Sequence, residues 1–132
     1  MKNMKTLRLI AVAVMCAVFA VGVAQAKPTG ANNLQHFVAF KFKATATPEQ
    51  IQQVVDALRA LEKKIPQIDK LRWGKNVSPE KLDKGFTHCF KITFKNDKDR
   101  DTYLNHPDHK AFATMLGPVM EDVIVLDYWS QE

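Results

Sequence analysis

The segment YLNHPDHKAF, Tyr103 to Phe112, gathers a phenol and two imidazoles, His106 and His109, around one proline. Such groups suit three tasks: holding a metal, moving a proton, or starting a helix. Metal binding is not expected. A residue before proline is pushed out of helical geometry, so His106 and His109 do not share a helix face. No cysteine pair or third local ligand completes the three protein ligands that zinc sites normally use. As structure, Pro107 opens a helix, His106 lies near its cap, and Ala111, Phe112 and Met115 pack inward. As chemistry, His109 falls in the first turn of that helix, where the macrodipole disfavours the imidazolium. A neutral imidazole is what a general base requires.

Two further histidines lie in segments that read as strands. In HFVAFKF, His36, Val38, Phe40 and Phe42 share one face, with Phe37, Ala39 and Lys41 on the other. In THCFKITF, His88, Phe90, Ile92 and Phe94 alternate with Thr87, Cys89, Lys91 and Thr93. Both histidines therefore point into apolar surroundings, where an imidazole is costly without a partner. The expected partners are one another, Tyr103 or a ligand. His109, His36, Tyr103 and His88 are thus the candidate site residues, with plain hydrogen-bonded structure as the alternative reading. No metal or cofactor is called for.

Local signals along the chain place these groups. Thr47-Pro48-Glu49-Gln50 is a helix start, with Thr47 as cap, Pro48 in the first turn and Gln50 closing a capping box. Behind it, Ile51, Val54, Val55, Leu58, Leu61 and Ile65 keep one stripe at helical spacing, and Pro66 ends it. Leu71 to Val77 reads as a short strand. Asp97 to Asn105 reads as a short helix with an acidic start, followed by the helix from Pro107 to about Leu116, which Gly117-Pro118 breaks. The last strand, DVIVLDYW, is apolar on both faces for most of its length. The order β-α-β-β-α-β is α+β and ferredoxin-like. One sheet face lies under helices. The other offers Phe37, Ala39, Cys89 and half of the final strand, mixed with Lys41, Lys91 and Thr93. Burial of that open face against a second copy predicts a two-fold homodimer.

The first 26 residues read as a secretory leader: three basic groups, a sixteen-residue apolar run from Leu9 to Ala24, then Ala24-Gln25-Ala26 as a small-x-small cleavage pattern. The run falls short of the ~20 residues of a membrane-spanning helix. Residues 27–33 form a polar lead-in, and 34–132 the domain. Losing Lys2, Lys5 and Arg8 takes the 19 basic residues to 16 against 14 acidic ones, a net +2. No dense basic stripe with interleaved aromatics points to nucleic acid. Cys16 departs with the leader, which leaves Cys89 alone and the domain without an internal disulfide. The expected location is periplasmic or extracellular, with no stable membrane association once the leader is removed.

The opening HFVAFKF, Ile65-Pro66 with WGKNV after it, GFTHCFKITF, the YLNHPDH segment and the closing DYW, in this order and spacing, resemble the stress-responsive dimeric α/β-barrel (Dabb) family from about Leu34 to Ser130. The resemblance implies a ferredoxin-like subunit whose sheet meets a second subunit's sheet in a shared barrel. It also implies a comparison with the family's plant polyketide cyclase, which works by aldol chemistry without cofactor or metal. Carried over to matching positions, His109 is the base, His36 its polar partner, and Tyr103 orients a carbonyl. A second pocket tyrosine of that cyclase corresponds to Leu58 here. Three functions follow as expectations: binding of a small apolar ligand between sheet and helices, cofactor-free cyclase or lyase chemistry, or a non-catalytic assembly module.

Overall fold

A computed structural model describes residues 32–131; the leader read over residues 1–26 and most of the lead-in lie outside the described residues. The elements are β1 (Leu34–Phe42), α1 (Pro48–Lys64), β2 (Lys70–Lys75), β3 (His88–Phe94), α2 (Asp97–Asn105), α3 (Pro107–Leu116) and β4 (Met120–Trp129). The sheet is antiparallel with order β2-β3-β1-β4, the ferredoxin-like arrangement. The two central strands, β1 and β3, are the ones whose alternation carries a histidine.

Helix α1 forms where the capping box predicts. The Gln50 backbone N–H donates to Thr47 Oγ1 at 3.2 Å, and the Thr47 N–H donates to Gln50 Oε1 at 2.9 Å. Two otherwise orphaned donors are thereby satisfied. Its stripe of Val54, Val55, Leu58 and Leu61 is buried, and Ile65 follows it into the core. Full burial of one such aliphatic side chain stabilises by roughly 1.5–3 kcal/mol. These residues meet Val38, Phe40, Phe90, Ile92 and Phe94 from the sheet. In α3 the expected inward set is corrected. Phe112 and Leu116, four apart, pack on the core, whereas Ala111 and Met115 face outward.

Among the described residues no helix covers the other sheet face. There β1 and β4 pair Phe37 with Leu126, Ala39 with Ile124 and Gln35 with Tyr128. Ile124, Leu126 and Tyr128 are exposed, whereas Ala39 is sheltered by its larger neighbours. Among the described residues no helix is long and apolar enough to cross a membrane.

Candidate functional site

Between the helix-covered side of the sheet and α2 and α3 lies a cavity of about 190 Å³. Val38 and Phe40 of β1, Leu58 of α1, Phe112, Ala113 and Leu116 of α3, and Val123 and Val125 of β4 make its apolar wall. Three polar side chains enter it: His36, Tyr103 and His109. A wider groove of about 430 Å³ along α1 and β2 is lined chiefly by Asp56, Arg59, Glu62, Lys63 and Arg72, and contains no histidine.

Each of the three polar groups is held by a different element. The β1–β4 register sets His36 opposite Asp127, and His36 Nδ1 lies 2.6 Å from Asp127 Oδ1. The second carboxylate oxygen, Oδ2, accepts from Arg100 Nη1 at 2.7 Å. Burial pushes the Asp127 carboxyl upward, but hydrogen bonds from His36 and Arg100 outweigh it and hold the group below its ordinary value. Tyr103 is the one buried residue of α2. Its ring centroid stands 5.8 Å from that of His36 and 4.4 Å from that of His109. Burial raises its phenol above the usual range, so it stays protonated and able to donate.

His109 sits in the first turn of α3 and is half-buried. Its Nδ1 donates to the Leu104 carbonyl at 3.2 Å, which leaves Nε2 as the acceptor of a neutral ring. Burial pushes its pKa down; the Leu104 contact opposes this and nearby His36 adds to it. The site thus places a neutral base and a protonated phenol side by side in an apolar hollow. That pairing can donate a hydrogen bond to a carbonyl or hydroxyl oxygen at one point and accept a proton at another.

Residues 34–130 match the Stress responsive A/B Barrel Domain, Dabb. The chain belongs to the Dabb family. The Stress-response A/B barrel domain-containing protein HS1 of Arabidopsis thaliana is 34% identical over 95 residues, covering 72% of this chain and 87% of that protein. Olivetolic acid cyclase of Cannabis sativa is 27% identical over 95 residues, covering 72% and 94%. Among solved structures, hydroxynitrile lyase from Passiflora edulis superposes with a TM-score of 0.72 at 27% identity, covering 76% of this chain and 95% of that one. A dimeric protein of unknown function and ferredoxin-like fold from Bacteroides fragilis gives a TM-score of 0.62 at 26% identity, covering 75% and 97%.

Of the residues singled out in this Dabb sequence, His36, Tyr103 and His109 come together. His88 does not join them. It stands opposite Phe40 at the start of β3, with its Nδ1 2.8 Å from Thr87 Oγ1 and its ring stacked with Trp73. The expectation that His36 and His88 satisfy each other, or turn to Tyr103, is therefore corrected. Asp127 serves His36, and Thr87 serves His88. His106 is a cap, accepting from the Asp108 backbone N–H at 3.2 Å. Among the described residues no three His, Cys, Asp or Glu side chains gather as a metal-holding group. Two participants were missed, Asp127 and Arg100. Their signals were faint: one acid in the apolar run VIVLDYW, at the same parity as Val123 and Val125, and one arginine three positions before Tyr103.

The imidazoles make stability depend on pH. Burial, with Lys75 adding to it, lowers the His88 pKa from the ordinary 6.5, and His109 moves the same way. A base whose folded pKa is lowered gives its full contribution above the unfolded value. That contribution is lost as pH falls through the folded value. The melting temperature is thus expected to fall on acidification from about pH 7 to about pH 5. His88→Gln, which keeps a polar partner for Thr87 but does not titrate, is expected to flatten the slope. Equal slopes in the two proteins, measured by thermal denaturation, would show that His88 does not contribute.

Proposed function

We propose that this Dabb protein is exported and forms a homodimer that holds a small, largely apolar molecule carrying a carbonyl or hydroxyl oxygen. His36, Tyr103 and His109 make the polar contacts. One observation carries the reading: Tyr103 and His109 stand with ring centroids 4.4 Å apart inside a cavity whose wall, His36 apart, is aliphatic and aromatic. Few convergent polar groups in an apolar hollow are the usual form of a small-molecule site. The unpartnered apolar face bearing Ile124, Leu126 and Tyr128 supports pairing of two copies through their sheets. The leader pattern over residues 1–26 supports a periplasmic or extracellular location, without stable membrane attachment after cleavage.

Native mass spectrometry of the protein from its own host tests this directly. The expected result is a dimer with a small molecule retained per subunit. His109→Ala removes one hydrogen-bonding group, worth about 1 kcal/mol or more in a dry site. Its affinity for the retained molecule is expected to fall about tenfold or further, with the dimer intact. A wild-type mass equal to polypeptide alone, or equal retention in the variant, would sink the binding reading.

Acid–base catalysis is the second reading, favoured by the His36–Asp127–Arg100 chain and by the cyclase and lyase among the relatives. Here His109 Nε2 takes a proton from the substrate while the Tyr103 hydroxyl donates to its oxygen, without cofactor or metal. A general base of this kind is worth about 10²–10⁴-fold in rate.

A further inference from the structure

We infer that Arg100 is a positioning residue for His36: by gripping Asp127 it fixes the imidazole as the Nδ1–H tautomer and leaves Nε2 as the nitrogen available to the cavity. The guanidinium is itself anchored. Its Nε and Nη2 donate to Asp101 Oδ1 at 2.9 and 2.8 Å, which leaves Nη1 for Asp127 Oδ2 at 2.7 Å. Asp127 spends its other oxygen on His36 Nδ1. A carboxylate held at both oxygens cannot swing into solvent, although its side chain is 29% exposed and sits on an edge strand.

Helix α2 gives the arrangement its logic. Arg100 and Tyr103 are three positions apart and so lie on one helix face. Leu104, next in line, offers its carbonyl to His109 Nδ1. One mostly polar helix with a single buried residue therefore orients both imidazoles by separate routes. His36 is steered through Arg100 and Asp127, His109 through the backbone. The charged and titratable groups packed around His36 are Asp127 from β4, Tyr103 from α2 and His109 from α3, with Arg100 of α2 behind Asp127. On β3 it pairs with Ile92 and meets the Phe94 ring edge-on. Arg100 completes the partners of the Asp127 carboxylate, so His36 Nδ1 keeps a fixed acceptor and Nε2 is the ring nitrogen left to the cavity.

This rests on the reading that His36 acts in the cavity, but its test does not need a ligand. In the full chain labelled with ¹⁵N-histidine, at about pH 8, above the ordinary imidazole range, His36 is expected to show one pyrrole-type nitrogen, Nδ1, and one pyridine-type nitrogen, Nε2. In Arg100→Met that separation is expected to collapse toward the values of averaged tautomers, while the His109 pattern stays. Asp101→Ala, at an exposed position, loosens the same guanidinium and is expected to give a smaller change of the same kind. Unchanged His36 signals in both variants would overturn the inference. So would simultaneous loss of the His109 pattern, which would mean that the helix itself had moved. If no ligand is found but His36 alone responds, the binding proposal fails and this one stands.

Discussion

Tyr103→Ala is expected to lower stability by about 3–5 kcal/mol, the usual cost of deleting a buried aromatic ring. The side chain is 1% exposed and packs at centroid distances of 5.2 Å from Phe94 and 4.4 Å from His109. A small domain has only about 5–15 kcal/mol in hand, so a fall in melting temperature on the order of 15 °C or more follows. Tyr103→Phe separates function from packing. The ring stays, and with it the packing against Phe94 and His109. Stability is therefore expected to be unchanged or slightly raised, while retention of the proposed ligand drops about tenfold. Thermal melting beside native mass spectrometry reads both effects. A Phe variant that loses stability yet keeps its ligand would assign the phenol to the fold.

Leu126→Asp is expected to convert the proposed homodimer to folded monomers. Leu126 lies on the open face beside Phe37 and is 56% exposed in the single subunit. A carboxylate there costs the isolated fold little. In a two-fold interface the same substitution appears on both sides, and desolvating each ion costs several kcal/mol. At 1.4 kcal/mol per tenfold, the association constant falls at least about a hundredfold. Sedimentation velocity at micromolar concentration checks this, and an unchanged dimer peak would move the interface elsewhere. Ala39, the more obvious choice from strand alternation, is a poorer probe because it is 3% exposed within the subunit. A charge there would disturb the sheet first.

What was readable in the sequence and what was not divides along physical lines. The capping box at Thr47, the helix after Pro107 and the alternation of β1 are local, each written within a few consecutive residues. His36 and His109 emerged from those signals. Alternation, however, gives the face of a strand and not the height along it. His88 shares its face with His36, but the β1–β3 register sets it opposite Phe40, four residues and about 13 Å further along the strand. Asp127 escaped notice for a related reason. Its pairing with His36 spans 91 positions, and only strand register, fixed by the assembled sheet, brings the two together. Arg100 depends in turn on Asp127.

His106 closes α2 and opens α3 at once, its backbone N–H donating to Tyr103 O and its ring accepting from Asp108. The corner between the helices is therefore a single residue long, and the stance of phenol against imidazole is dictated by short-range chain geometry. The wall opposite, built by β1 and β4, belongs to a different part of the chain. Exchanges among Val38, Val123 and Val125 can reshape the hollow while Tyr103 and His109 keep their mutual placement.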